Sequence, residues 1–211
     1  MTTVETLVRS SGIVLCGGGV LSAAATAAQP FVDVTTANPA MTAAGTVAIT
    51  GGLLTLLGMP AWYAVQASRA GRLGAAGFVM TFLGWAGLQV ATQPFYTYVA
   101  PALYARPGNA DLAEPGALDE ITTGFLSYVG VTLILLNLGL VLFGVGMIRA
   151  RVFPRVLGYV IALGPLGAFV PPIEAGAITA TLLALATCGL LLATGRVTAP
   201  ASGSAAPVPA G

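Results

Sequence analysis

Apolar positions fall in six long stretches, about 7–28, 44–66, 72–93, 121–148, 156–173 and 175–195. A helix needs about 20 apolar residues to cross a bilayer core. With no water there to bond the backbone, a helix is the form such a stretch takes. The pattern predicts an all-α fold, a polytopic transmembrane bundle of six helices within residues 1–197. Only a tight turn around Pro171-Pro172-Ile173-Glu174 separates the last two spans, and the other connections are short except 94–120, an external loop rich in Pro, Tyr and acid. From Thr198 to Gly211 the chain is Ala, Pro, Ser and Gly with little else, the composition of a disordered tail.

Composition narrows the chemistry. Hydrophobic residues are 56% and charged residues 7% of the 211, against about 25% charged in a soluble domain, which excludes a soluble enzyme. The net charge of +1 offers no basic face for phosphates, so nucleic acid is excluded as a partner. All eight basic residues are Arg; Lys and His are absent. Missing Lys excludes Schiff-base chemistry, and missing His excludes His-ligated haem or metal. No cofactor is expected.

The few charges are sorted. If the N-terminus is cytoplasmic, Arg9, Arg69, Arg72, Arg149, Arg151, Arg155 and Arg196 face inward and only Arg106 outward. Asp33, Asp111, Glu114, Asp119, Glu120 and Glu174 then lie outside, and Glu5 inside. The arginine count predicts a multi-pass membrane protein with both termini cytoplasmic. A rival reading makes residues 1–28 a signal peptide cleaved near Ala23-Ala24-Ala25-Thr26-Ala27-Ala28. Retention is favoured, because Gly17-Gly18-Gly19 suits close helix contact and the even span count keeps both termini on one side.

The second and third spans echo the fourth and fifth. Leu56-Leu57-Gly58 followed by Arg69-Ala70-Gly71-Arg72 is matched by Leu142-Phe143-Gly144 followed by Arg149-Ala150-Arg151. This reads as a parallel repeat of helical hairpins, unlike the inverted repeats of many transporters. Small residues at helix-packing intervals, as in Gly158-xxx-Ala162 and Gly164-xxx-Ala168, predict a compact bundle.

Candidate site residues lie toward the outer side. Phe78, Phe82, Trp85, Gln89 and Gln93 recur at spacings of four, three, four and four, which puts them on one helical face. A matching stripe on the fourth span runs Thr123, Ser127, Gly130, Ile134, Asn137, Val141 and Gly144, with Tyr128 beside it. Asn137 reads first as an amide bonded across a helix interface and second as the floor of a pocket. Facing stripes would enclose a narrow, mostly apolar cavity. Phe78, Phe82, Trp85, Gln89, Gln93, Asn137 and Tyr128 are its expected lining. Asp33 and Glu174 are the candidate acids, since a carboxyl against an apolar wall has a raised pKa and can serve as a general acid. Cys16 and Cys188 read as small packing residues, because two cysteines alone make no metal site. Phe95, Tyr96, Tyr98 and Tyr104 read as an interfacial belt.

Elimination leaves cofactor-free acid catalysis, with aromatic faces to stabilise positive charge. Protonation-initiated cyclisation of an isoprenoid fits that inventory. The run Arg69-Ala70-Gly71-Arg72-Leu73-Gly74 into Phe78-Val79-Met80-Thr81-Phe82-Leu83-Gly84, with Val152-Phe153-Pro154-Arg155 later, resembles small six-helix actinobacterial membrane proteins. In size and helix content the chain also looks, more loosely, like bacterial membrane-bound terpene cyclases. The first resemblance implies an acid near the outer end of the third helix, where this chain has Gln93-Pro94-Phe95-Tyr96. Two expectations follow. One is a membrane-embedded cyclase acting on a lipophilic isoprenoid. The other is a non-catalytic membrane protein: an accessory subunit, a lipid-binding module or a small transporter. Membrane lipids and a lipophilic small molecule are the expected partners.

Overall fold

The computed structural model describes residues 3–31, 38–109 and 123–197. Among them are six helices: α1 (Thr3–Ala28), α2 (Pro39–Ala64), α3 (Ala67–Tyr104), α4 (Thr123–Ala150), α5 (Arg155–Gly167) and α6 (Glu174–Ala193). All but α5 are long and apolar enough to cross a membrane. Side chains on the outer surface are themselves apolar, with Leu57, Val90, Ile134 and Leu163 exposed. That is the surface of an integral membrane protein, whose solvent is lipid.

Local signals set the helix ends. Asn38 caps α2, its Oδ1 accepting from the Met41 amide at 2.8 Å, and Pro39 occupies the first helical position. Near the start of α3 the helix breaks at Gly71, where φ is 64° and ψ −168°, a conformation closed to other residues. Two positions depart from the sequence expectation. The fifth span was expected over 156–173, but α5 has 13 residues and is about 20 Å long, short of the roughly 30 Å bilayer core. Conversely, α3 runs past Gln93 to Tyr104 over 38 residues, so Phe95, Tyr96, Tyr98 and Tyr104 are helical and not in a loop.

Two π-turns carry α3 past its prolines. Over Leu88–Thr92 the Gln93 amide bonds to the Leu88 carbonyl, and over Phe95–Val99 the Ala100 amide bonds to that of Phe95. Each turn ends two residues before a proline, Pro94 for the first and Pro101 for the second. A proline offers no amide to the carbonyl four residues back, and the wider turn re-registers the bonds around it.

The helices close into a ring in the order α1, α2, α3, α4, α5, α6 and back to α1. Three contacts are tight and built on glycine. A side chain at Gly18 or Gly58 of α1 and α2 would strike the other helix; so would one at Gly12, Gly19 or Gly189 between α1 and α6. Gly77, Gly84 and Gly139 do the same between α3 and α4. Lipid gives helices no hydrophobic drive to associate, so close backbone approach takes over. Gly144 meets Gly158 and Ala162 on α5, as the small-residue spacing predicted. Of the three consecutive glycines on α1, Gly17 faces open space.

An aromatic cluster fills the ring in the half nearer the arginine-bearing ends. Trp62 meets Phe143 edge-on at 4.4 Å and Tyr63 stacks on Phe78 at 4.4 Å, tying α2 to α3 and α4. The Arg9 guanidinium approaches Gly195 after α6, so the start of α1 lies beside the end of α6.

Candidate functional site

In the half of the ring away from most arginines, the helices enclose a cavity of about 500 Å³. Every helix contributes: Ser22 and Thr26 from α1, Ala48 from α2, Trp85 and Gln89 from α3, Leu136 and Asn137 from α4, Gly164 and Pro165 from α5, and Thr181 and Leu182 from α6. Glu174 and Phe169 stand at its outer end, with Gln29 and Gln93. Along α6 the wall reaches from Glu174 to Leu182, about 12 Å at 1.5 Å per residue. A smaller space of about 230 Å³, between α2 and the outer part of α3, shares Gln29, Ala48 and Gln93 with it and adds Tyr96, Thr97 and Tyr104.

The walls are apolar with amides and hydroxyls set into them. Trp85 is buried and its Nε1 donates to the Gly52 carbonyl at 3.0 Å, which fixes the indole against α2. Gln89 follows one turn later, buried, its Oε1 without a hydrogen-bond partner. Asn137 donates from Nδ2 to the Leu133 carbonyl at 2.8 Å, a bond within its own helix and not the inter-helix bond expected from sequence. Thr181 likewise bonds back to the Ala177 carbonyl at 2.9 Å.

Sequence-predicted residues divide clearly. Trp85, Gln89, Gln93, Asn137 and Glu174 lie around the cavity. Phe78 and Phe82 do not line it, because they pack in the aromatic cluster with Tyr63 and Phe143. Tyr128 is not on the wall either; its hydroxyl donates to the Gly87 carbonyl at 3.0 Å and clips α4 to α3. Asp33 lies outside the described residues. Glu174 is exposed at the mouth and not sunk against the apolar wall as the acid reading expected. The fourth span's stripe also turns: Ile134 points outward, and Leu133, Leu136, Asn137 and Leu140 form the cavity face.

Ser22, Thr26 and Thr181 were missed. Each is a small hydroxyl among alanines and leucines, and only its position in the ring marks it. Among the described residues no group of His, Cys, Asp or Glu could hold a metal ion. No protein-family model, curated protein or solved structure matches the chain.

Proposed function

We propose that this membrane protein binds a lipophilic small molecule of isoprenoid type in the central cavity and cyclises it by protonation. The observation that supports this is the cavity itself, framed by all six helices, apolar in its walls and furnished with uncharged polar groups. Its volume lies within the roughly 300–1,000 Å³ usual for small-molecule sites. In the proposed step a carboxylic acid, Glu174 or Asp33, gives a proton to an alkene or epoxide of the substrate. The resulting carbocation closes a ring by accepting a π-electron pair, and loss of a proton to the carboxylate regenerates the acid. Atoms balance without oxidant or cofactor, so the product is an isomer of the substrate. Trp85, on the cavity wall, is the aromatic residue proposed to stabilise the positive charge. The protein sits in the bacterial inner membrane with its arginine-rich end toward the cytoplasm, as the resemblance to terpene cyclases and the positive-inside rule suggest.

Incubating protein-containing membranes with farnesylated and geranylgeranylated acceptors tests this. Cyclisation gives products of unchanged mass, and replacing the acid, by Glu174→Gln or Asp33→Asn, lowers turnover by about 100-fold or more, the usual worth of a general acid. Absence of conversion across the panel overturns the cyclase reading. Conversion that survives both Glu174→Gln and Asp33→Asn removes these acids from the mechanism.

A second reading, binding without turnover, is favoured by one observation: the deep wall carries amides and hydroxyls, while Glu174 stands exposed at the rim. Saturable binding without conversion distinguishes it.

A further inference from the structure

One patch of the cavity wall holds polar atoms that the protein leaves unsatisfied. Gly51 and Gly52 are neighbours on α2, and their missing side chains make room for two others. A Cβ on Gly51 would fall on Ser22 of α1, and one on Gly52 would fall on the carboxamide of Gln89 of α3. Ser22 and Gln89 both line the cavity, and they are only 6% and 7% exposed. Neither Ser22 Oγ nor Gln89 Oε1 has a hydrogen-bond partner. The backbone beside them is already engaged. The Gly51 carbonyl accepts from Thr55 Oγ1 at 2.9 Å and the Gly52 carbonyl from Trp85 Nε1 at 3.0 Å.

Buried polar atoms normally find partners. Two that lack one, on different helices and on the wall of one cavity, point to a partner that arrives through the cavity. The amide oxygen can only accept, whereas the serine hydroxyl can donate or accept. No arginine lines the cavity, so nothing there balances a phosphate or carboxylate.

We propose that Ser22 and Gln89 form a polar anchor that selects a neutral lipophile bearing a hydroxyl or N–H group, which donates to Gln89 Oε1 and shares a hydrogen bond with Ser22 Oγ. This rests on the reading of the cavity as a lipophile site and adds the functional group its ligand carries. A plain hydrocarbon leaves both atoms unpaired, and a site built around a hydrogen bond discriminates against analogues lacking it.

The test uses the full chain in lipid nanodiscs, with tryptophan fluorescence titrated by farnesol, farnesyl methyl ether and farnesene. Farnesol binds about five- to tenfold more tightly than the ether or the hydrocarbon, the worth of one hydrogen bond. Gln89→Leu removes the preference of farnesol over farnesene, and Ser22→Ala weakens it. Should Gln89→Leu not fold, Gln89→Met carries the same comparison. Equal binding of all three probes, or a farnesol preference that survives the Gln89 substitution, overturns the anchor while leaving the cavity as a lipophile site. Binding of none of the three overturns both.

Discussion

Gly17, Gly18 and Gly19 are consecutive on α1 but meet different surroundings. A methyl on Gly18 would press on Gly51 and Thr55 of α2, and one on Gly19 on Leu182 and Ala186 of α6, whereas Gly17 faces open space. Gly18→Ala is therefore expected to destabilise by about 1–3 kcal/mol, the usual cost of overpacking. Gly17→Ala is expected to be neutral or to stabilise by up to about 1 kcal/mol, because alanine holds a helix better. Thermal unfolding of the purified protein in one detergent checks both, and equal effects would contradict the packing. The same scale shows what sequence reading can reach. Periodicity found Trp85, Gln89 and Gln93, because polar residues on an otherwise apolar helix announce a face. It also swept in Phe78 and Phe82, since an aromatic stripe looks alike whether it fills a core or lines a pocket. Ser22 gave no such signal within a helix of small residues, and its importance depends on the glycine pair opposite.

At the level of elements, hydropathy marked six helices in the right order but misjudged two lengths. For α5 the cause is Pro171-Pro172. A proline disfavours helix in the residue before it and supplies no amide to the turn beneath, so the apolar Phe169 and Val170 stay in turns beyond Gly167. For α3 the same residue type failed to stop the helix, because the π-turn before Pro94 absorbs the missing bond. A π-turn holds one residue more than an α-turn needs, so restoring α register would rotate the outer part of α3 by about 100° relative to its inner part. Gln93 would leave the cavity, and Tyr98 would lose its 2.8 Å bond to Thr46. Pro94→Ala permits that return. Its expected outcome is an unfolding midpoint equal to or above that of the parent, together with weaker farnesol binding in the nanodisc titration. Unchanged binding would mean that the π-turn persists without the proline.

For the whole molecule, the ring makes the cavity one-sided, and orientation decides which compartment it opens toward. Arg9, Arg69, Arg72, Arg149, Arg151, Arg155 and Arg196 belong to the starts, ends and turns at one end of the ring. Glu174 and the cavity mouth belong to the other. Arginine flanking a span is retained on the cytoplasmic side, so the mouth is expected to face outward, where a lipophile would meet it from the outer leaflet. Alkaline phosphatase, active only after export, reports this directly: a fusion after Arg106 should be active and one after Arg151 inactive. The reverse pattern would put Glu174 and the cavity mouth on the cytoplasmic side. It would also mean that seven of the eight arginines had been carried across the membrane, against the bias that normally sets topology.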